Sequence, residues 1–156
     1  DKLQDPWGVA GWPATKGRDG CRTPMPWSDA ANAGFSKAKE TWLPVDPRQR
    51  ALSAEKQEKL VDSTLAITRK LIALRKASAA LGRGAFRVIE ASATQLVFER
   101  TAGADRVIAA FNFGKTQVTT RIEGGLASVM WANEAVLSDN TLTLAPLASA
   151  WIRVQG

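Results

Sequence analysis

The sequence predicts a chain of mixed class: an ordered, loop-rich segment, one helix, and then an all-β antiparallel sandwich. Three observations carry this. Through residues 1–52 no stretch longer than about six residues keeps a helix or strand period, yet the segment holds four of the six tryptophans. Between about 54 and 81 apolar residues recur at helical spacing. From Ala85 onward the period falls to two.

A structureless stretch as long as 1–52 is either functional or disordered, and its tryptophans argue against disorder. The expectation is an ordered excursion with a few short helical turns, Ser28 to Ala33 being one candidate. The helix over about 54–81 starts from Ser53 as N-cap, with Glu55 and Glu58 suited to its positive end. Leu60, Ile67, Leu71 and Leu74 form one apolar stripe, and Val61, Leu65 and Ile72 an adjacent one. Together they make a face broad enough to need more than one neighbour. Arg69, Lys70, Arg75 and Lys76 lie toward the C-terminal end, where cations are favoured. Gly82 and Gly84 close the helical region.

Seven strands are expected beyond it: Phe86–Glu90, Gln95–Arg100, Arg106–Phe111, Thr116–Arg121, Ala127–Trp131, Thr141–Leu144 and Ala150–Val154. Turn residues separate them, including Gly124-Gly125 and Ser138-Asp139-Asn140. Many short strands at regular spacing, with no helix between them, point to an antiparallel sandwich rather than a parallel sheet. Trp131 and Trp151 fall on strands and are expected in its core.

Composition narrows the function. The chain of 156 residues has no histidine and one cysteine, Cys21. This removes a serine–histidine–aspartate triad, a histidine-activated thiol and histidine-containing metal sites. The net charge of +6 is concentrated on the helix, where residues 51–85 carry seven Lys/Arg against three Asp/Glu. A solvated helix face explains that excess better than nucleic-acid binding, since no nucleic-acid motif accompanies it. No apolar run approaches the roughly 20 residues of a membrane span.

Chemistry concentrates in Gly17-Arg18-Asp19-Gly20-Cys21-Arg22-Thr23-Pro24-Met25-Pro26-Trp27. Its glycines and prolines forbid a regular helix or central strand. Two guanidinium groups on a shaped loop suit an oxygen-rich ligand. Asp19, between the two arginines, reads as their ionised structural partner. Trp7, Trp12, Trp27, Trp42 and Phe35 are able to stack on sugar rings or to form a small core that shapes the loop. The core role is expected for Trp27 and Trp42.

That run resembles the segment after the last barrel strand of bacterial α-glucosidases in glycoside hydrolase family 13, the α-amylase superfamily, in particular oligo-1,6-glucosidase-like members. Leu3-Gln4-Asp5-Pro6 and Trp12-Pro13 upstream extend the match. So do Ala33-Gly34-Phe35-Ser36 and Thr41-Trp42-Leu43-Pro44-Val45 downstream, and Arg69 to Lys76 resembles the family's final barrel helix. The resemblance implies the last loop and helix of a (β/α)8 barrel followed by the all-β antiparallel C-terminal sandwich. Residues 1–84 would be a partial catalytic barrel, with substrate-site loop 1–52 and final helix about 54–81, and residues 85–156 the sandwich.

The resemblance further implies a retaining, exo-acting enzyme that hydrolyses terminal α-linked glucose of oligosaccharides or disaccharides. Its nucleophilic and acid carboxylates would lie upstream, so this chain supplies no catalytic residue and no activity by itself. Arg18 would line the pocket for the terminal glucose, with Arg22 nearby; Arg22 equally well braces the loop through backbone carbonyls. No cofactor or metal site is expected in this chain. The partners implied are the sugar substrate and the missing N-terminal barrel portion, without nucleic acid or membrane, in the cytoplasm. A fragment of a related glucosyl-transferring or disaccharide-isomerising enzyme, or a free-standing carbohydrate-binding sandwich, are the alternatives. Without the barrel, the helix's apolar face should need either a companion polypeptide or a remodelled packing.

Overall fold

A computed structural model describes residues 2–155. The chain forms two compact units, Asp1–Arg69 and Lys70–Gly156.

The first unit is built from turns. Helix α1 spans Pro6–Gly11, with Asp5 as N-cap accepting from the Trp7 amide and proline in the first turn, the position where a missing N–H costs nothing. Short 3-10 turns follow at Asp19–Cys21 and Pro47–Leu52, and between them Ala31–Gly34 forms a tight turn in which Asn32 and Ala33 are left-handed, at φ 51° and 56°. The turn expected near Ser28–Ala33 thus forms a few residues later. Among the described residues of this unit, Ala33 and Leu43 are its buried hydrophobics. Trp27 and Trp42 are 53% and 67% exposed. Their expected core role is therefore corrected: the loop is shaped by polar contacts, and the indoles remain on its surface.

The single helix expected over 54–81 is divided into three. Helix α2 covers Ala54–Gln57, α3 Thr64–Ala77 and α4 Ala79–Arg83. Ser53 holds the N-cap position of α2 but makes no capping bond. The capping residue is Ser63. Its Oγ accepts from the Ala66 amide and donates to Gln57 and Leu60 carbonyls, while Gln57 Oε1 accepts from the Leu65 amide. Those side-chain bonds satisfy the orphan amides of α3 and fix the break. No residue of α3 is fully buried: Leu65, Ile67, Leu71 and Leu74 are half-buried and Ile72 is exposed, so its apolar face, expected to be covered, is covered only in part.

In the second unit, α4 leads into six antiparallel strands: β1 Ala85–Ala91, β2 Gln95–Ala102, β3 Asp105–Asn112, β4 Val118–Arg121, β5 Ala127–Ser138 and β6 Thr141–Val154. The order is β1-β2-β3-β6-β4, with β5 also paired to β6. The two last strands expected from sequence are one long strand, β6. It pairs with β4 through Thr141–Leu144 and with β3 through Ser149–Val154, and with β5 along both stretches. Leu147, at φ 59°, marks the bend between them. One curled sheet therefore supplies the two layers expected of a sandwich.

Its main core gathers Val97, Ile108, Ala110, Ile122, Leu142, Leu144, Ala148, Ala150, Ile152 and Val154. Burying each large aliphatic side chain is worth about 1.5–3 kcal/mol before entropy is counted. On a second cluster, Ala80 and Leu81 of α4 pack with Val107, Met130 and Trp151. Trp131 and Trp151 are half-buried, edge to face at 6.1 Å. Ser78 caps α4, and Asp105 of β3 accepts from both Ser78 Oγ at 2.6 Å and the Ala80 amide at 2.9 Å. That carboxylate ties the helix start to the sheet.

Candidate functional site

Arg18 is held by a partner 13 residues away. Its Nε donates to Asp5 Oδ2 at 3.0 Å, its Nη2 to Oδ1 at 3.1 Å, and its own amide to Oδ2 at 2.8 Å. This is a planar fork-on-carboxylate pair, the strongest form of charge-assisted bond. Asp5 is 1% exposed, whereas the Arg18 side chain is 63% exposed. Hydrogen bonds from the Arg18 side chain and amide outweigh burial and hold the Asp5 carboxyl well below the usual carboxylate range.

The strand of contacts is reciprocal. Asp19 Oδ2 accepts from the amides of Gln4 at 2.6 Å and Asp5 at 3.0 Å. Each carboxylate thus grips the backbone beside the other, locking residues 4–7 to 18–19. Asp19, expected to pair with Arg18 and Arg22, instead satisfies these two amides, and its Oδ1 has no partner among the described residues. The crossing is tight because Gly8 and Gly17 meet there. A Cβ on Gly17 would lie 2.7 Å from the Gly8 nitrogen and 2.8 Å from Asp5 Oδ2, and Gly17 sits at φ 65°. Only glycine combines that conformation with that approach.

One edge of Arg18 stays free. Among the described residues nothing accepts from its Nη1. Beside it, Trp7, Thr15, Gly17 and Arg18 line a shallow depression, and Trp7 is 69% exposed. An aromatic face next to a fixed donor is suited to a polar molecule with C–H faces. Arg22 is exposed and its side chain bonds to no carbonyl among the described residues, so the bracing role is not seen. Its amide donates to the Asp19 carbonyl at 3.0 Å. Cys21 is exposed and its Sγ lies 3.0 Å from the Arg18 carbonyl. The site therefore brings Arg18 and Trp7 together and, among the described residues, leaves the Arg22 side chain without a partner.

Sequence reasoning missed Asp5 as the group that fixes Arg18. The available signal was Asp5-Pro6, an N-cap followed by proline at N1. It announces a helix start, and hence a carboxylate held near backbone amides.

A family model described as "Alpha amylase, catalytic domain" matches residues 2–84, more than half of the chain. The chain belongs to the alpha-amylase family. It is 38% identical over 122 residues to a probable alpha-glucosidase of Rhizobium meliloti (strain 1021), covering 78% of this chain and 22% of that protein. It is 36% identical over 118 residues to a probable oligo-1,6-glucosidase 2 of Bacillus subtilis (strain 168), covering 75% and 21%. The crystal structure of an alpha-glucosyl transfer enzyme, XgtA, superposes over 99% of this chain and 29% of its own, with a TM-score of 0.86 and 32% identity. The trehalulose synthase MutB from Pseudomonas mesoacidophila MX-45 superposes over 88% and 26%, with a TM-score of 0.78 and 26% identity. The chain thus spans about a fifth of the two glucosidases it matches. The fold is that of the family: the last loop and helix of its barrel and the all-β C-terminal region. Among the described residues no helix is long and apolar enough to cross a membrane.

Proposed function

We propose that this chain is the C-terminal part of a bacterial, cytoplasmic, exo-acting α-glucosidase of the oligo-1,6-glucosidase kind. The complete enzyme hydrolyses terminal, non-reducing α-linked glucose with retention. Such chemistry needs two carboxyl groups about 5–5.5 Å apart, one to attack and one to protonate the leaving oxygen. In this reading both come from the barrel portion outside this chain, and residues 1–84 here contribute the substrate-site loop and final helix. Arg18 binds the terminal sugar through its free edge, and Arg22 lies near the following subsite.

The observation that carries the reading is the fixed, exposed Arg18 side chain beside the exposed Trp7 ring. A donor already fixed in orientation loses little entropy on binding a hydroxyl. The test is hydrolysis of an aryl α-glucoside by the longest polypeptide carrying this chain and by the 156 residues alone. Activity in the first and none in the second is expected; cleavage by the short chain would overturn the division of labour.

A second reading is favoured by the structural likeness to glucosyl-transferring and disaccharide-isomerising enzymes. Product analysis separates them. Free glucose as the main product supports hydrolysis, whereas new glucosides or an isomerised disaccharide support transfer.

A further inference from the structure

We propose that Asp5 is a positioning residue for sugar binding: it acts through Arg18, engaging Nε and Nη2 and so fixing the guanidinium, with Nη1 left for a ligand, beside the depression that Arg18 and Trp7 line. The inference rests on the proposed role of Arg18 and deepens it.

Four donors converge on this one carboxylate: Arg18 Nε, Arg18 Nη2, the Arg18 amide and the Trp7 amide. They come from both sides of the depression. The same group that aligns Arg18 therefore also anchors the backbone of Trp7, so donor and aromatic face are placed relative to one another by a single side chain. A free arginine samples many rotamers, and holding it in one costs side-chain entropy. Asp5 meets that cost during folding. Both oxygens are engaged and the carboxylate is buried, so it has no free surface to touch a sugar. It is thus placed to orient rather than to bind. The far side of the cage is closely packed too: the Asp5 amide donates to Asp19, and Gly8 and Gly17 cross in close approach.

The experiment uses the complete enzyme carrying this chain, with an aryl α-glucoside as probe. Asp5→Asn keeps the shape and an acceptor oxygen but removes the charge and one acceptor of the fork. A positioning role predicts a fall in kcat/KM of about tenfold or more. It also predicts that Asp5→Asn adds little once Arg18→Ala is present, because both then remove the same interaction. A merely structural Asp5 would lower the melting temperature and the active fraction, leave KM of the surviving enzyme unchanged, and multiply with Arg18→Ala. If Asp5→Asn does not accumulate folded, Asp5→Glu decides: it keeps the charge and displaces the carboxylate, so KM of the folded enzyme must rise. Unchanged kinetics in that variant would overturn the inference. Should Arg18→Ala itself leave kcat/KM untouched, the site reading fails first, and this inference with it. A costly Arg18→Ala beside a silent Asp5→Asn would sink the inference alone.

Discussion

Asp5 is ionised, buried and surrounded by donors, so its proton is coupled to folding. Because its carboxyl is depressed in the fold, the unfolded chain takes up the proton first as pH falls. The stability it contributes is complete above the unfolded value, about 3.9, and is lost as pH drops below it toward the folded value. Asp46, Glu58 and Asp105 shift in the same direction through Arg48, Arg69 and Ser78. Glu99 does so as well, since burial raises it but hydrogen bonds from Arg106 and Arg87 prevail. The melting temperature should therefore fall steeply with acid below about pH 4 and fall less steeply in Asp5→Asn. Parallel acid profiles for the two proteins would contradict the buried pair. The two arginines should separate in the same assay. Arg22 has no side-chain partner among the described residues, so Arg22→Ala should leave the melting temperature within error. Arg18→Ala strands the buried Asp5 carboxylate and should lower it measurably.

At the scale of elements, polar side chains set the boundaries. Ser63 and Gln57 separate α2 from α3, and Ser78 with Asp105 separates α3 from α4. Ser78→Ala removes both the cap of α4 and a bond to Asp105. It should destabilise the second unit by about 1–2 kcal/mol, read by urea denaturation with β-sheet circular dichroism as the signal. Loss of well under half of that would show that Asp105 caps α4 unaided through the Ala80 amide. The sheet has its own device at Asn112. Its Nδ2 donates to the carbonyls of Thr116, Leu144 and Ala145, which ties the segment after β3 to the bend region of β6.

Across the whole molecule, buried and open apolar surface are unequally distributed. Leu142 and Leu144 are fully buried in the sheet core, while no residue of α3 is buried. Leu144→Ala should cost about 2–5 kcal/mol. Leu71→Ala, at a half-buried position of α3, should cost less than half as much in the same chain alone. If the two cost alike in denaturant titration, α3 is packed in solution. Four phenylalanines add to the open surface: Phe86, Phe98, Phe111 and Phe113 follow one another at 5.1, 6.0 and 6.1 Å across β1 to β3 and the residue beyond. Phe86 and Phe113 remain more than half exposed.

What could be read from the sequence was local. The change of period at Ala85, the glycine and asparagine turns, and the proline-rich character of residues 1–52 each depend on neighbours within a few positions. The antiparallel sheet and the shaped Arg18 loop followed from them. What tertiary structure decided depended on distant neighbours. Asp5 and Arg18 meet because two glycines let the backbone cross, and nothing in their 13-residue separation announces it. The helix pattern over 54–81 showed which residues were apolar, yet its breaks arose from side-chain bonds to backbone groups. The exposure of Trp27 and Trp42 and the incomplete burial of α3 were equally beyond the pattern. An apolar period states that a face favours burial, and only the surrounding chain determines whether anything lies against it.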